Sequence, residues 1–102
     1  MVIDLLSRAL AVQPDDTWAL FVMARTLVAL KREEEAQEVL ERLVAVDPGN
    51  VRGLALSAVL RWRRGDREGA FARAGEARRL TASPSDLPTS LAPVLSAMDF
   101  GL

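Results

Sequence analysis

The side chains on which proton transfer and metal binding most often rest are missing: the 102 residues contain no histidine and no cysteine. That removes imidazole and thiolate metal ligands and any disulfide framework. Chemistry would fall to carboxylates, to Lys31 or to hydroxyls. The densest acidic run is Glu33-Glu34-Glu35. Consecutive helical residues point in different directions, so the run reads as a helix start favoured by the macrodipole and not as a metal cradle. Arg64-Gly65-Asp66 matches a cell-adhesion tripeptide. A turn glycine followed by an N-capping aspartate accounts for it. The expectation is no catalysis, no cofactor and no metal.

What remains is recognition chemistry. Residues 1–50 hold five basic and nine acidic side chains; residues 51–80 hold eight basic ones, all arginine, and three acidic. A solvated helix face explains such a run. A surface for an acidic peptide, or complementary ends that meet head to tail, explains it too. No basic run interleaved with aromatics accompanies the charge, so nucleic acid is not the expected partner. No apolar run approaches the roughly 20 residues of a membrane span. Met1-Val2-Ile3-Asp4 has an early acid and no basic lead, unlike a signal peptide. A cytoplasmic setting is expected.

The elements that would carry these residues are helices. Val2, Leu5, Leu6, Ala9, Leu10 and Val12 recur near the helical period, predicting a helix over 2–13 that Pro14 ends. Asp16 then caps a helix over 17–30, apolar almost all round and so buried on several sides. After the short turn Lys31-Arg32 a helix over 33–46 returns antiparallel. Its inner stripe is Ala36, Val39, Leu40, Leu43 and Val46, with Glu38 and Arg42 spaced to pair outside. Asn50 caps a helix over 51–64, Gly65-Asp66 turns the chain, and a helix rich in small residues covers 67–80. Residues 81–85 read as a linker, and 90–98 as a last helix with Ser90 as cap, fraying from Asp99.

Layout repeats every 34 residues, and this spacing carries a resemblance. Leu20, Met23, Ala24, Leu27, Ala36, Leu40 and Pro48 in residues 17–50 are in phase with Leu54, Ser57, Ala58, Gly65, Ala70, Ala74 and Ala77 in 51–84. Leu6, Ala9 and Pro14 open the series as a half repeat. The pattern resembles the tetratricopeptide repeat family. That resemblance implies an all-α, right-handed superhelical stack of antiparallel hairpins over residues 1–84. Residues 85–102 then form a C-terminal capping helix and tail.

There are departures. Lys31 stands where the family often has a turn glycine, Arg61 replaces an aromatic that faces the next unit, and the closing proline is displaced to Pro84. The helix over 2–13 has no hairpin partner, which would leave Val2, Ile3, Leu6 and Leu10 uncovered. Either the chain comes from a longer array or a second molecule covers them, and self-association through this helix is the favoured expectation.

By the same resemblance, the first helix of each hairpin lines a concave face. Carried onto this sequence, the partner-binding positions are Trp18, Phe21, Arg25 and Val28, then Arg52, Ala55, Val59, Trp62 and Arg63. The face would suit a helix or acidic-hydrophobic peptide of a partner protein. Packing of Trp18 and Phe21 against a neighbouring repeat is the competing explanation. The family's carboxylate-clamp subgroup would want lysine and asparagine where Phe21 and Arg25 stand, so that mode is not expected. A protein-binding scaffold is the leading function. A self-assembling oligomerisation domain and a chaperone like the small tetratricopeptide chaperones of type III secretion are the alternatives.

Overall fold

The computed structural model describes residues 2–81 and 87–100, which form helices joined by turns and short loops. They are α1 (Val2–Val12), α2 (Thr17–Ala29), α3 (Glu33–Val46), α4 (Val51–Arg63), α5 (Arg67–Leu80) and α6 (Ala92–Phe100), with a 3-10 turn at Thr89–Leu91 before α6. The expected all-α hairpin architecture is the one observed. Two compact units, Met1–Pro48 and Gly49–Leu102, divide the chain.

In the first unit α1 packs on α2, and α2 on α3. Asp16 caps α2, its Oδ1 accepting the Ala19 N–H at 3.1 Å. Leu20, Ala24 and Leu27 of α2 and Ala36, Leu40 and Leu43 of α3 are at most 1 % exposed, so they form the seam of the hairpin. Val46, predicted to finish the inner stripe, is 43 % exposed. Arg42 does not take the expected Glu38 partner. Its Nη2 donates to the Pro14 carbonyl at 3.0 Å and ties the α1–α2 loop to α3.

In the second unit Asn50 caps α4 through the Gly53 N–H at 2.9 Å. Leu54, Ala58, Ala70, Ala74 and Ala77 are at most 2 % exposed. Each lies 34 residues beyond a buried position of the first unit, which is the repeat seen as packing. The 3-10 turn packs on α4, and α6 on α5. Leu87, Leu91, Val94 and Ala97 bury themselves there. The fraying expected from Asp99 is not seen at Asp99 and Phe100: α6 runs to Phe100, and Asp99 accepts from Arg78 of α5 at 2.8 Å. The linker expected at 81–85 falls, apart from Thr81, outside the described residues, as do the register change at Pro84 and the tail 101–102.

Both hairpins turn through the same hydrogen-bond pattern. Lys31 N–H reaches the Val28 carbonyl and Arg32 N–H the Leu27 carbonyl, at 3.0 and 2.8 Å; Gly65 and Asp66 repeat this with Trp62 and Arg61, at 3.1 and 2.9 Å. This is the Schellman arrangement, and it needs a left-handed residue after the helix. Gly65 supplies it at φ +86°, and Lys31 accepts it at φ +64°. A left-handed L residue costs roughly 1–2 kcal/mol, while glycine loses about 0.4–1 kcal/mol more in chain entropy. Lys31→Gly is therefore expected to leave stability unchanged or raise it by up to about 1 kcal/mol. Gly65→Ala, whose added Cβ meets nothing within 4 Å, should lower it by about 1 kcal/mol through backbone strain alone. Urea unfolding of the two variants checks the pair, and a clear loss in Lys31→Gly contradicts it.

The second turn also carries a charge switch. Asp66 accepts the Gly69 N–H at 2.9 Å and an Arg61 guanidinium N–H at 2.8 Å. The Gly69 bond first, and the Arg61 bond second, hold its carboxyl below the usual carboxylate range. Because the folded pKa is the lower one, this stabilisation is complete above the unfolded value of about 3.9 and is lost as pH falls through the folded value. Thermal unfolding followed from pH 5 downward should show Asp66→Asn losing less stability than the parent. Equal slopes would contradict it.

Candidate functional site

On α2 the side chains left outside the hairpin seam fall in one strip. Trp18 is 63 % exposed, near the capped start of the helix. Arg25 is exposed two turns on, and Phe21 and Val28 are half-buried along one edge. The Arg25 guanidinium lies over the Phe21 ring, 5.8 Å from its centroid. Such a contact contributes about 0.5–1 kcal/mol at an exposed site and holds the charge beside an apolar surface. All four α2 residues selected from sequence therefore share one accessible side.

Alongside them runs an open recess of about 400 Å³ lined by Val22, Arg25, Thr26 and Ala29. Of these, sequence reasoning had selected only Arg25. Val22 and Ala29 stand four residues from Trp18 and Arg25 respectively, in the same stripe. On a helix apolar almost all round, the pattern offered no polar flank to mark where the accessible side begins.

The α4 residues divide differently. Arg52 and Arg63 are exposed, but Ala55 is 0 % and Val59 7 % exposed. Ala55 and Val59 therefore offer little surface to a ligand. Half-buried Leu56 lies between Arg52 and Arg63 in sequence and was also missed. Trp62 is half-buried, as its place near the turn suggests, and stacks on Phe71 of α5 at 6.0 Å between centroids, 28° from parallel. Arg67 covers both rings, its guanidinium carbon 5.7 Å from each centroid. Trp62 is thus held by its hairpin partner, with part of its surface left accessible.

The residues that might have suggested other chemistry are engaged locally. Glu35 is gripped by Arg32 through two hydrogen bonds, one of them from Nε at 3.0 Å. Asp66 of the adhesion-like tripeptide is the cap described above. No group of carboxylates among the described residues is arranged to hold a metal ion, and no described helix is long and apolar enough to cross a membrane.

What these helices present is side-chain surface for contact. A family model for the tetratricopeptide repeat matches residues 2–60. The chain belongs to the tetratricopeptide repeat family. Domains of this family are in general non-catalytic protein–protein interaction scaffolds. No curated protein matches the chain in sequence.

Proposed function

We propose that each unit of this domain docks a short acidic-hydrophobic segment of a partner protein on the exposed side of its first hairpin helix, α2 in one and α4 in the other. Trp18, Phe21, Arg25 and Val28 provide the contact on α2. Arg52, Trp62 and Arg63 provide it on α4, with Val59 supporting the surface from below. The observation that carries this reading is Trp18, a large aromatic 63 % exposed beside an arginine and an open recess. Tryptophan and arginine dominate binding hot spots because they bury much area and also donate hydrogen bonds. Leaving an indole this open adds nothing to the fold.

Arginine also selects the ligand. Of the eight arginines in residues 51–80, Arg52 and Arg63 are exposed on α4. Carboxylates on a peptide would meet them by charge-assisted hydrogen bonds. The test is a double substitution, Trp62→Ala with Arg63→Ala, in binding assays against a library of peptides rich in Asp, Glu, Leu and Phe. Loss of at least about tenfold in affinity for the selected peptides, roughly 1.4 kcal/mol, is expected. Unchanged binding by a folded double variant would remove α4 from the site.

A further inference from the structure

Arg67, the first residue of α5, is an exposed cation held in place by rings. Its guanidinium carbon is 5.7 Å from the centres of both the Trp62 and the Phe71 ring, which are 6.0 Å from each other, so the cation straddles the pair. Other exposed arginines of the chain find a carboxylate one turn along their own helix or cap: Arg32 takes Glu35, and Arg79 takes Glu76. The positions three and four residues beyond Arg67 are Ala70 and Phe71 instead. Asp66 is engaged by the Gly69 N–H and by Arg61. Glu68, the next residue on the helix, does not share the face of Arg67.

Ring contacts engage the face of a guanidinium, while its N–H donors lie in its plane. Seating it on two rings removes beforehand part of the rotamer freedom that a long side chain gives up on binding a ligand. The seat also sets the charge beside half-buried aromatic surface, where a charge-assisted hydrogen bond is weakened less by water. A carboxylate matches this arrangement, because its two oxygens meet the guanidinium fork. A phosphate matches it poorly. Its second negative charge would stand beside Asp66 and Glu68, with Arg61 already committed to Asp66.

We propose that Arg67, on its Trp62–Phe71 seat, anchors one Asp or Glu side chain of the docked segment, and that an apolar side chain of the same segment rests on the accessible parts of the two rings. This rests on the docking reading above and extends the α4 site onto α5. The resemblance on which the sequence-based selection drew points to the first helix of each hairpin, so Arg67 and Phe71 were not among the residues it chose.

The test uses a peptide selected from the library by the parent chain. Each acidic residue of the peptide is replaced in turn by its amide, and every version is titrated into the parent, Arg67→Gln and Arg67→Lys, with circular dichroism to check that the variants stay helical. One replacement should weaken binding to the parent about tenfold or more, yet weaken binding to Arg67→Gln less than about twofold, since its partner is already gone. Arg67→Lys keeps the charge without the planar fork and should bind the unaltered peptide about threefold or more weaker than the parent does. Equal binding of the peptide by the parent and Arg67→Gln overturns the assignment and leaves the docking reading standing. So does an Arg67→Gln loss of the same size for every version of the peptide, or an Arg67→Lys variant as tight as the parent. A parent that selects no peptide overturns both.

Discussion

Leu40→Ala is expected to lower the unfolding free energy by about 2–5 kcal/mol, among the largest losses a single substitution can cause in this chain. Leu40 is 0 % exposed in the middle of α3. Its counterpart 34 residues on, Ala74 in α5, is also 0 % exposed. One position of the repeat is therefore filled by four side-chain carbons in one hairpin and by one in the other, and each hairpin is closed around its own residue. Truncating Leu40 leaves a void that α2 and α3 can close only in part. The reciprocal change, Ala74→Leu, overpacks its seam and should cost about 1–3 kcal/mol. Urea unfolding in Trp18→Phe and Trp62→Phe backgrounds reads the units separately, since Trp18 lies in the first and Trp62 in the second. A Leu40→Ala loss below about 1 kcal/mol would mean that the seam is far looser than its burial implies.

Leu91→Ala should cost the second unit a similar amount, about 2–5 kcal/mol. Leu91 ends the 3-10 turn and is 0 % exposed, with Val94 0 %, Ala97 3 % and Leu87 7 % exposed along the same segment. Together they are the apolar attachment of the C-terminal segment to α4 and α5. The Arg78–Asp99 ion pair adds a charge contact that is well exposed on both sides, and such pairs contribute little. Asp99→Ala therefore serves as the control and should cost less than about 1 kcal/mol. Amide hydrogen exchange is the measurement that separates them. Leu91→Ala should accelerate exchange in α4 and α5, where Asp99→Ala leaves it nearly unchanged. Equal protection in both variants would show that the segment is not held by its leucines.

Much of this organisation is legible in the amino-acid order. Asp16, Asn50 and Asp66 announce the three capped helix starts, since a short polar acceptor before an apolar run has few other uses. The recurrence of Ala24 and Ala36 as Ala58 and Ala70 locates small residues in the core of both hairpins, all 0 % exposed. Lys31 betrays the left-handed turn only by standing where Gly65 stands in the next repeat. What stayed hidden is the assignment of sides on helices apolar in every direction. The burial of Val59 and the exposure of Leu5 follow from how the helices pack and not from either residue's type. The long-range partners Pro14 for Arg42 and Asp99 for Arg78 lie 28 and 21 residues away, outside any local rule of spacing.

The reading of the domain as a docking scaffold meets its most direct test in a two-dimensional nuclear magnetic resonance titration of the isotopically labelled chain. The probe is an acidic-hydrophobic peptide selected from the library described above. Expected are saturable shifts of the Trp18 and Trp62 indole N–H signals and of backbone signals at Phe21, Arg25, Val28, Arg52 and Arg63, with the buried faces of α3 and α5 unmoved. Shifts gathered on α3 and α5 with both indoles unchanged, or no saturable shift with any selected peptide, would contradict it.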